Sequence, residues 1–296
     1  MSKPTIGFIG VGRMGGPMAQ RLINAGYELI VLDTAAEAMQ PLVAAGAKQG
    51  TSAKAVAAAA DIVIVSLPTP PIVEKVAAEV AEGGKAKIFI DMSTTGAIYA
   101  KRIAASLAEK GIVQVDAPIS GGIKGAVNGT LAVMVSCDEA TFAQVEPILK
   151  NTGKIFYIGK LPGQGQTMKL VNNLLSASAM AASSEAIVMA VKAGTDAKMA
   201  VAVMNAGTAK NSATEDKLPR FVLPRTFNLG FAIGLLNKDI RLCMEEAEAL
   251  GVPMIVGSAV KQLLAITTAE MGQGGDMTDT VRTVERWAGV EVGKKI

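Results

Sequence analysis

Six residues near the start, Gly10-Val11-Gly12-Arg13-Met14-Gly15, have the spacing of a loop that holds a phosphate. The first glycine permits a tight turn. The second lets the backbone approach a pyrophosphate, and the third lets a helix pack against the preceding strand. The N-terminus of that helix then meets the phosphate charge. A glycine-rich turn with no ligand has the same six letters, so context decides. An apolar run, Thr5–Ile9, precedes the loop, a helical pattern follows, and Asp33 stands about 20 residues on. A carboxylate there accepts both ribose hydroxyls of NAD and repels the 2′-phosphate of NADP, and Thr34-Ala35-Ala36 offers that phosphate no arginine. The segment predicts dinucleotide binding, with NAD as the cofactor and NADP as the alternative.

A second group centres on Lys169. A lysine in an apolar helical stretch is costly to bury. It either snorkels to the surface or serves chemistry. Asn172 and Asn173 lie three and four residues on, hence near it on the helix surface. Such a cluster can hold a hydroxyl between a base and a hydrogen-bond donor. Oxidising an alcohol removes its O–H proton as hydride leaves carbon, and the chain has no histidine to take it. Lys, Tyr, Asp, Glu or Cys must serve. A Tyr-x-x-x-Lys pair fails, because Val31, Ile103 and Leu161 follow Tyr27, Tyr99 and Tyr157 at that spacing. Lysine is the best remaining candidate. A third group, Ser120-Gly121-Gly122, combines a hydroxyl with exposed backbone N–H groups, which suits a carboxylate and equally suits an ordinary turn.

Composition narrows the classes further. The absence of histidine excludes Ser-His-Asp and Cys-His mechanisms and histidine-dependent 2-hydroxy acid dehydrogenases. With only Cys137 and Cys243 besides, no metal site is expected. Two lone cysteines fit a reducing compartment. The net charge is +3 and the charges are scattered, so neither nucleic acid nor a membrane surface is an expected partner. The N-terminal residues read straight into a strand, without the apolar run of a signal peptide. The charge-free stretch Leu170–Ser184 is interrupted by Asn172 and Asn173 and closed by Glu185, too short and polar to span a bilayer. The expectation is a cytoplasmic protein.

These groups need elements to position them. Apolar runs rich in Val and Ile recur at Thr5–Ile9, Glu28–Asp33, Ile62–Leu67, Lys87–Met92, Val113–Asp116, Thr130–Ser136 and Lys154–Ile158. Ala-rich helical stretches such as Gly15–Ala25 and Ala53–Ala60 lie between the early ones. That alternation predicts an α/β fold, a parallel sheet covered on both faces. After about Gly163 the pattern turns helical, beginning with one helix from Thr167 to Ala193. A helix apolar nearly all round should be buried, partly by another subunit. Glu185 within it reads as a polar contact to another helix or subunit. The predicted domains are residues 1–162, Rossmann-type, and 163–296, all-helical, serving substrate binding and oligomerisation.

Taken together, the motifs resemble those of the β-hydroxyacid dehydrogenase family, which includes 3-hydroxyisobutyrate dehydrogenase and tartronate semialdehyde reductase. The likeness covers nearly the whole chain. Gly7–Gly15 is similar to the family's cofactor signature, and Asp116-Ala117-Pro118-Ile119-Ser120-Gly121-Gly122 to its substrate-binding segment. Gly163 to Asn173 is similar to its catalytic segment, and Phe231 with Lys238-Asp239 to its C-terminal cofactor and active-site motif.

The resemblance implies specific roles. Ser120, Gly121 and Gly122 would grip the substrate carboxylate, with Asn172 and Lys238 beside the substrate. Lys169 would be the general acid/base and Asn173 its helper. Gly10, Val11, Gly12, Arg13, Met14, Gly15, Asp33, Leu67, Pro68, Thr94, Thr95, Phe231, Lys238 and Asp239 would line NAD. Lys238-Asp239 could instead be an exposed pair. As a second cation, Lys238 would lower the pKa of Lys169. The implied activity is hydride transfer between NAD(P) and a small β-hydroxy acid, in a homodimer or homotetramer. Rival readings are an NADPH-dependent semialdehyde reductase, an imine reductase, a 6-phosphogluconate dehydrogenase and a non-catalytic NAD-binding sensor. Lys169 argues against the imine reductase, and the short helical half against the sugar-phosphate enzyme.

Overall fold

A computed structural model describes residues 3–293. It forms two compact units, Met1–Lys169 and Leu170–Ile296.

The first unit alternates strands and helices: β1 (Ile6–Ile9), α1 (Gly15–Asn24), β2 (Leu29–Leu32), α2 (Ala36–Ala44), β3 (Lys48–Gln49), α3 (Ala53–Ala59), β4 (Ile62–Val65), α4 (Pro70–Ala81), β5 (Ile88–Asp91), α5 (Ala97–Ala108), β6 (Val113–Asp116), β7 (Ile119–Ser120), α6 (Gly122–Asn128), β8 (Leu131–Ser136), α7 (Glu139–Leu149) and β9 (Gly153–Gly159). All seven expected strands form, most trimmed at their ends. The two-residue strands β3 and β7 carry no apolar run and escape a sequence reading. Strands β1, β4 and β5 are buried throughout, because helices cover both faces, and continuous Ile/Val runs satisfy that double burial. Their side chains divide between two cores. Phe8, Ile64 and Ile90 face one, and Ile9, Val63 and Phe89 the other.

The sheet order is β3-β2-β1-β4-β5-β6-β8-β7, with β9 against β8. Strands β1 to β6 pair in parallel, but β8 runs antiparallel to both β6 and β7. The expected parallel sheet forms from β1 to β6, and β8 is an antiparallel addition to it. A parallel crossover takes a dozen or more residues. Residues 121–130 between β7 and β8 are fewer and hold only the short α6. The order reverses between β1 and β4, and ligands of open α/β sheets gather at the strand ends beside such a reversal.

The second unit is helical: most of α8 (Gln164–Lys192), then α9 (Ala197–Ala206), a π-wound helix (Ala213–Val222), α10 (Ile233–Ala249), α11 (Ile255–Met271), a 3₁₀ turn (Met277–Asp279) and α12 (Thr280–Ala288). Its core gathers Ala177, Met180 and Ile187 of α8 with Leu218, Ile233, Leu236 and Val281. Helix α8 has 29 residues and a stretch of mean hydropathy 1.6, so by length and composition alone it could cross a membrane. That corrects the expectation of a segment too short and polar. Glu185 does not end the helix; it lies on an exposed face, beside a surface pocket shared with Val284 and Ala288 of α12.

Candidate active site

The loop after β1 is fixed from within the first unit. Gly10 N–H donates to Leu32 O at 2.8 Å. Val11 N–H donates to Asp33 Oδ2 at 2.8 Å, and Ala35 N–H to Asp33 Oδ1 at 2.9 Å. Asp33 therefore locks the loop to the end of β2, and each oxygen keeps a lone pair for a further donor. A Cβ on Gly15 would lie 1.9 Å from Gly10 O, so the fold itself demands that glycine. Gly12 differs, because a Cβ there would meet nothing within 4 Å. No side chain caps the N-terminus of α1 at Met14, and no acidic residue occupies its first turn. Open space over Gly12 beside an uncapped helix start fits a pyrophosphate. Val11 is buried and Met14 packs on the core, so both would serve through the backbone, while Arg13 is exposed.

Across the strand reversal, Leu67 N–H donates to Ser93 Oγ at 2.9 Å, which ties the ends of β4 and β5 together, and Pro68 is exposed. Thr94 is half-buried and remains a candidate for the cofactor. Thr95 is corrected. It is fully buried, its hydroxyl donates to Asp91 Oδ2 at 2.5 Å, and its N–H to Gln166 Oε1 at 2.9 Å. Its side chain is turned into the protein.

Thr95 belongs to a buried polar network that holds the first turn of α8. Gln166 Nε2 donates to Ser93 O at 3.1 Å, and its Oε1 also accepts from Gly96 N–H at 3.2 Å. Asp116, at the end of β6, accepts from Gly163 N–H at 2.5 Å and from Ser136 Oγ at 2.8 Å. Ser136 Oγ in turn accepts from Gly165 N–H at 2.9 Å. Burial pushes the Asp116 carboxyl up to about 6, against the opposing pull of its donors Ser136 and Gly163, and the charge of Asp91 adds to the rise. Sequence reasoning missed this network. Its members are short polar residues at strand ends, and Thr95 and Gln166 are 71 positions apart.

Lys169, in the second turn of α8, is only 7% exposed, so the snorkelling reading fails. Asn173 is one turn further along the same face and is buried as well. Its Nδ2 donates to Asp239 Oδ2 at 2.7 Å, and Asn172 Nδ2 donates to Asn173 Oδ1 at 3.3 Å. Lys238 Nζ stands 2.9 Å from Asp239 Oδ1, and both side chains are largely buried. The exposed-pair reading of Lys238-Asp239 is therefore also corrected. Phe231 is half-buried against the helical core, and its carbonyl accepts from Met277 N–H at 2.9 Å.

Ser120 ends β7, and the backbone then turns through Gly121 and Gly122, both at positive φ. A Cβ on Gly122, at φ +64°, would meet nothing within 4 Å. The result is an open backbone cradle of the kind that takes an anion.

Comparison with known proteins gives this arrangement its family. Residues 5–159 match the NAD binding domain of 6-phosphogluconate dehydrogenase, and residues 163–284 match the NAD-binding domain of NADP-dependent 3-hydroxyisobutyrate dehydrogenase. The chain is 37% identical to 2-(hydroxymethyl)glutarate dehydrogenase of Eubacterium barkeri over 97% of each chain. It is 36% identical to 2-hydroxy-3-oxopropionate reductase of Escherichia coli K12, over 96% of this chain and 98% of that one. The solved structure of Mycobacterium tuberculosis 3-hydroxyisobutyrate dehydrogenase with L-serine superposes with a TM-score of 0.88 at 33% identity, covering 96% of this chain and 99% of that chain.

The chain belongs to the β-hydroxyacid dehydrogenase family. It is an NAD(P)-dependent oxidoreductase of hydroxy acids, with an N-terminal Rossmann-type domain and a helical C-terminal domain. These relatives are named as dehydrogenases and reductases, and they give a non-catalytic sensor no support.

Proposed function

We propose that the chain oxidises a small β-hydroxy acid, with Lys169 as the general acid/base. The observation that carries this reading is a buried lysine, one helical turn from a buried asparagine, in a chain without histidine. The substrate carboxylate docks on Ser120, Gly121 and Gly122, with Asn172 and Lys238 beside the substrate. Asn173, oriented by Asp239, holds the hydroxyl oxygen. Deprotonated Lys169 takes the hydroxyl proton at Nζ as the C–H bond gives up its electron pair and the carbonyl forms. When bound, NAD(P) supplies the hydride acceptor at its nicotinamide C4. In the reducing direction Lys169 returns the proton to the carbonyl oxygen.

Gly10 to Gly15 and the N-terminus of α1 hold the pyrophosphate, Asp33 the adenosine ribose, and Leu67, Pro68 and Thr94 the remainder of the cofactor. Phe231, Lys238 and Asp239 complete the cofactor's surroundings. Asp33 favours NAD over NADP, because its carboxylate repels a 2′-phosphate. The 2-hydroxy-3-oxopropionate reductase relative supports a second reading, an NADPH-dependent reductase of a small semialdehyde, run by the same residues in reverse.

We also infer a homodimer or homotetramer in the cytoplasm. The support is an apolar face of α8 open to solvent, with Leu175 65% and Met189 76% exposed, and two buried cysteines that are free thiols.

The test is a panel of 3-hydroxy acids and semialdehydes with each nicotinamide cofactor, for wild type and Lys169→Ala. Loss of a general acid/base should lower kcat by about 10²- to 10⁴-fold. Near-normal turnover in the variant would overturn the assignment.

A further inference from the structure

Lys217 is a buried cation that the proposed reaction leaves unused. It lies in the π-wound helix and is 6% exposed. Its Nζ donates to Ser212 Oγ at 2.8 Å and to Ser176 Oγ at 3.1 Å. An ammonium has three N–H donors, so one is left over. Among the described residues no carboxylate forms an ion pair with it. Its neighbour Asp216 is engaged with Arg220 at 2.5 Å. Burial pulls the Lys217 pKa down, against the opposing charge of Asp216.

Two hydroxyls compensate a buried charge poorly. Desolvating an ammonium costs several kcal/mol unless an anion faces it. A sequence needing only to fill this place could do so with Met or Leu. Helical segments of π winding are rare, and they collect at functional positions.

The position of Ser176 says which anion. Lys169, Asn173 and Ser176 are spaced i, i+4, i+7, which puts them on one face of α8. At a rise of about 1.5 Å per residue, Ser176 stands about 10 Å along the axis from Lys169. A substrate whose hydroxyl sits at Lys169 and whose chain runs along this face brings its far end toward Ser176, and so toward the ammonium of Lys217 that Ser176 holds.

We propose that Lys217, with Ser176 and Ser212, binds a second anionic group on the substrate, so that the preferred substrates are β-hydroxy dicarboxylates. The proposal rests on Lys169 marking the reacting end. Ser176 and Ser212 orient the ammonium, and its remaining N–H meets the distal carboxylate. The 2-(hydroxymethyl)glutarate relative shows that this architecture serves a substrate of that charge.

Binding to the NAD-loaded protein, measured by calorimetry, tests the proposal without turnover. Glutarate should bind at least tenfold more tightly than butyrate, and Lys217→Met should erase the difference. Equal affinities in the wild type would overturn the proposal. So would a glutarate preference that survives in Lys217→Met. Turnover supplies a second arm. The kcat/KM ratio of 2-(hydroxymethyl)glutarate over 3-hydroxyisobutyrate should fall at least tenfold in Lys217→Met, carried by KM, and recover partly in Lys217→Arg. An equal loss on both acids marks a structural lysine and rejects the proposal. Failure of the catalytic reading looks different: turnover surviving in Lys169→Ala, with the glutarate preference intact.

Discussion

Asp116 Oδ2 accepts a hydrogen bond from the N–H of Gly163 at 2.5 Å, and so joins the end of β6 to the residue before α8. Three positions on, Gln166 is gripped by the turn after β5 through the N–H groups of Thr95 and Gly96. Lys169 stands one turn further along the same helix. Its backbone position is therefore referred to two sheet strands by buried polar bonds, and apolar packing alone would not fix it to that accuracy. Directional bonds of this kind are what a proton-transfer group needs, because misplacement by about 1 Å can cost two orders of magnitude in rate.

The same carboxylate makes stability depend on pH. Folded Asp116 holds its proton up to about pH 6, whereas an ordinary aspartate releases it near 3.8. Between those values the folded state binds more protons, so stability falls as pH rises. The contribution is whole below pH 3.8 and is lost by about pH 6. It amounts to about 3 kcal/mol. Asp116→Asn cannot ionise and escapes that loss. Urea unfolding of both proteins at pH 4, 5.5 and 7 should show the variant gaining on the wild type by up to about 3 kcal/mol across the series. A constant difference would mean that Asp116 does not titrate in this range.

Legibility in the sequence followed range. The phosphate loop and the helical second half are written in local spacing, and Gly10 to Gly15 lie where that spacing put them. The antiparallel β8 was not legible, because it depends on the length of a connection and on which strands it pairs. The contacts of Asp116 and Gln166 were hidden by distance along the chain. Lys217 was hidden for another reason. Its segment, Ala213–Val222, includes Pro219, which reads as a helix breaker, and nothing local marks π winding. The hold of Ser212 on that lysine was hidden with it.

Gly12 and Gly15 separate what the fold needs from what the cofactor needs. A methyl on Gly15 would collide with Gly10 O, so Gly15→Ala should lose stability and cofactor binding together. A methyl on Gly12 meets open space, so Gly12→Ala should keep its melting temperature or gain slightly, since alanine restricts the unfolded chain by about 0.4–1 kcal/mol. It should still weaken NAD binding at least tenfold, because the methyl occupies the pyrophosphate's place. Calorimetric titration with NAD beside thermal melts decides this. Unchanged affinity in Gly12→Ala would move the phosphate off this loop.

Asp239 holds two partners at once, Asn173 at 2.7 Å and Lys238 at 2.9 Å. The variants Asp239→Asn and Asp239→Ala take these apart. An asparagine keeps an acceptor for Asn173 but removes the negative charge beside Lys238. An alanine removes both. Removing the carboxylate charge beside a mostly buried ammonium should destabilise either variant by about 2 kcal/mol, below the range for fully buried pairs because Lys238 retains some contact with water. Catalysis should divide them. If Asn173 must be aimed to hold the hydroxyl, Asp239→Ala loses kcat well beyond Asp239→Asn, by about tenfold for one misaligned hydrogen bond. Equal kcat in the two variants would show that the charge of Asp239 matters and its hold on Asn173 does not. The role of Asn173 would then pass to Lys238.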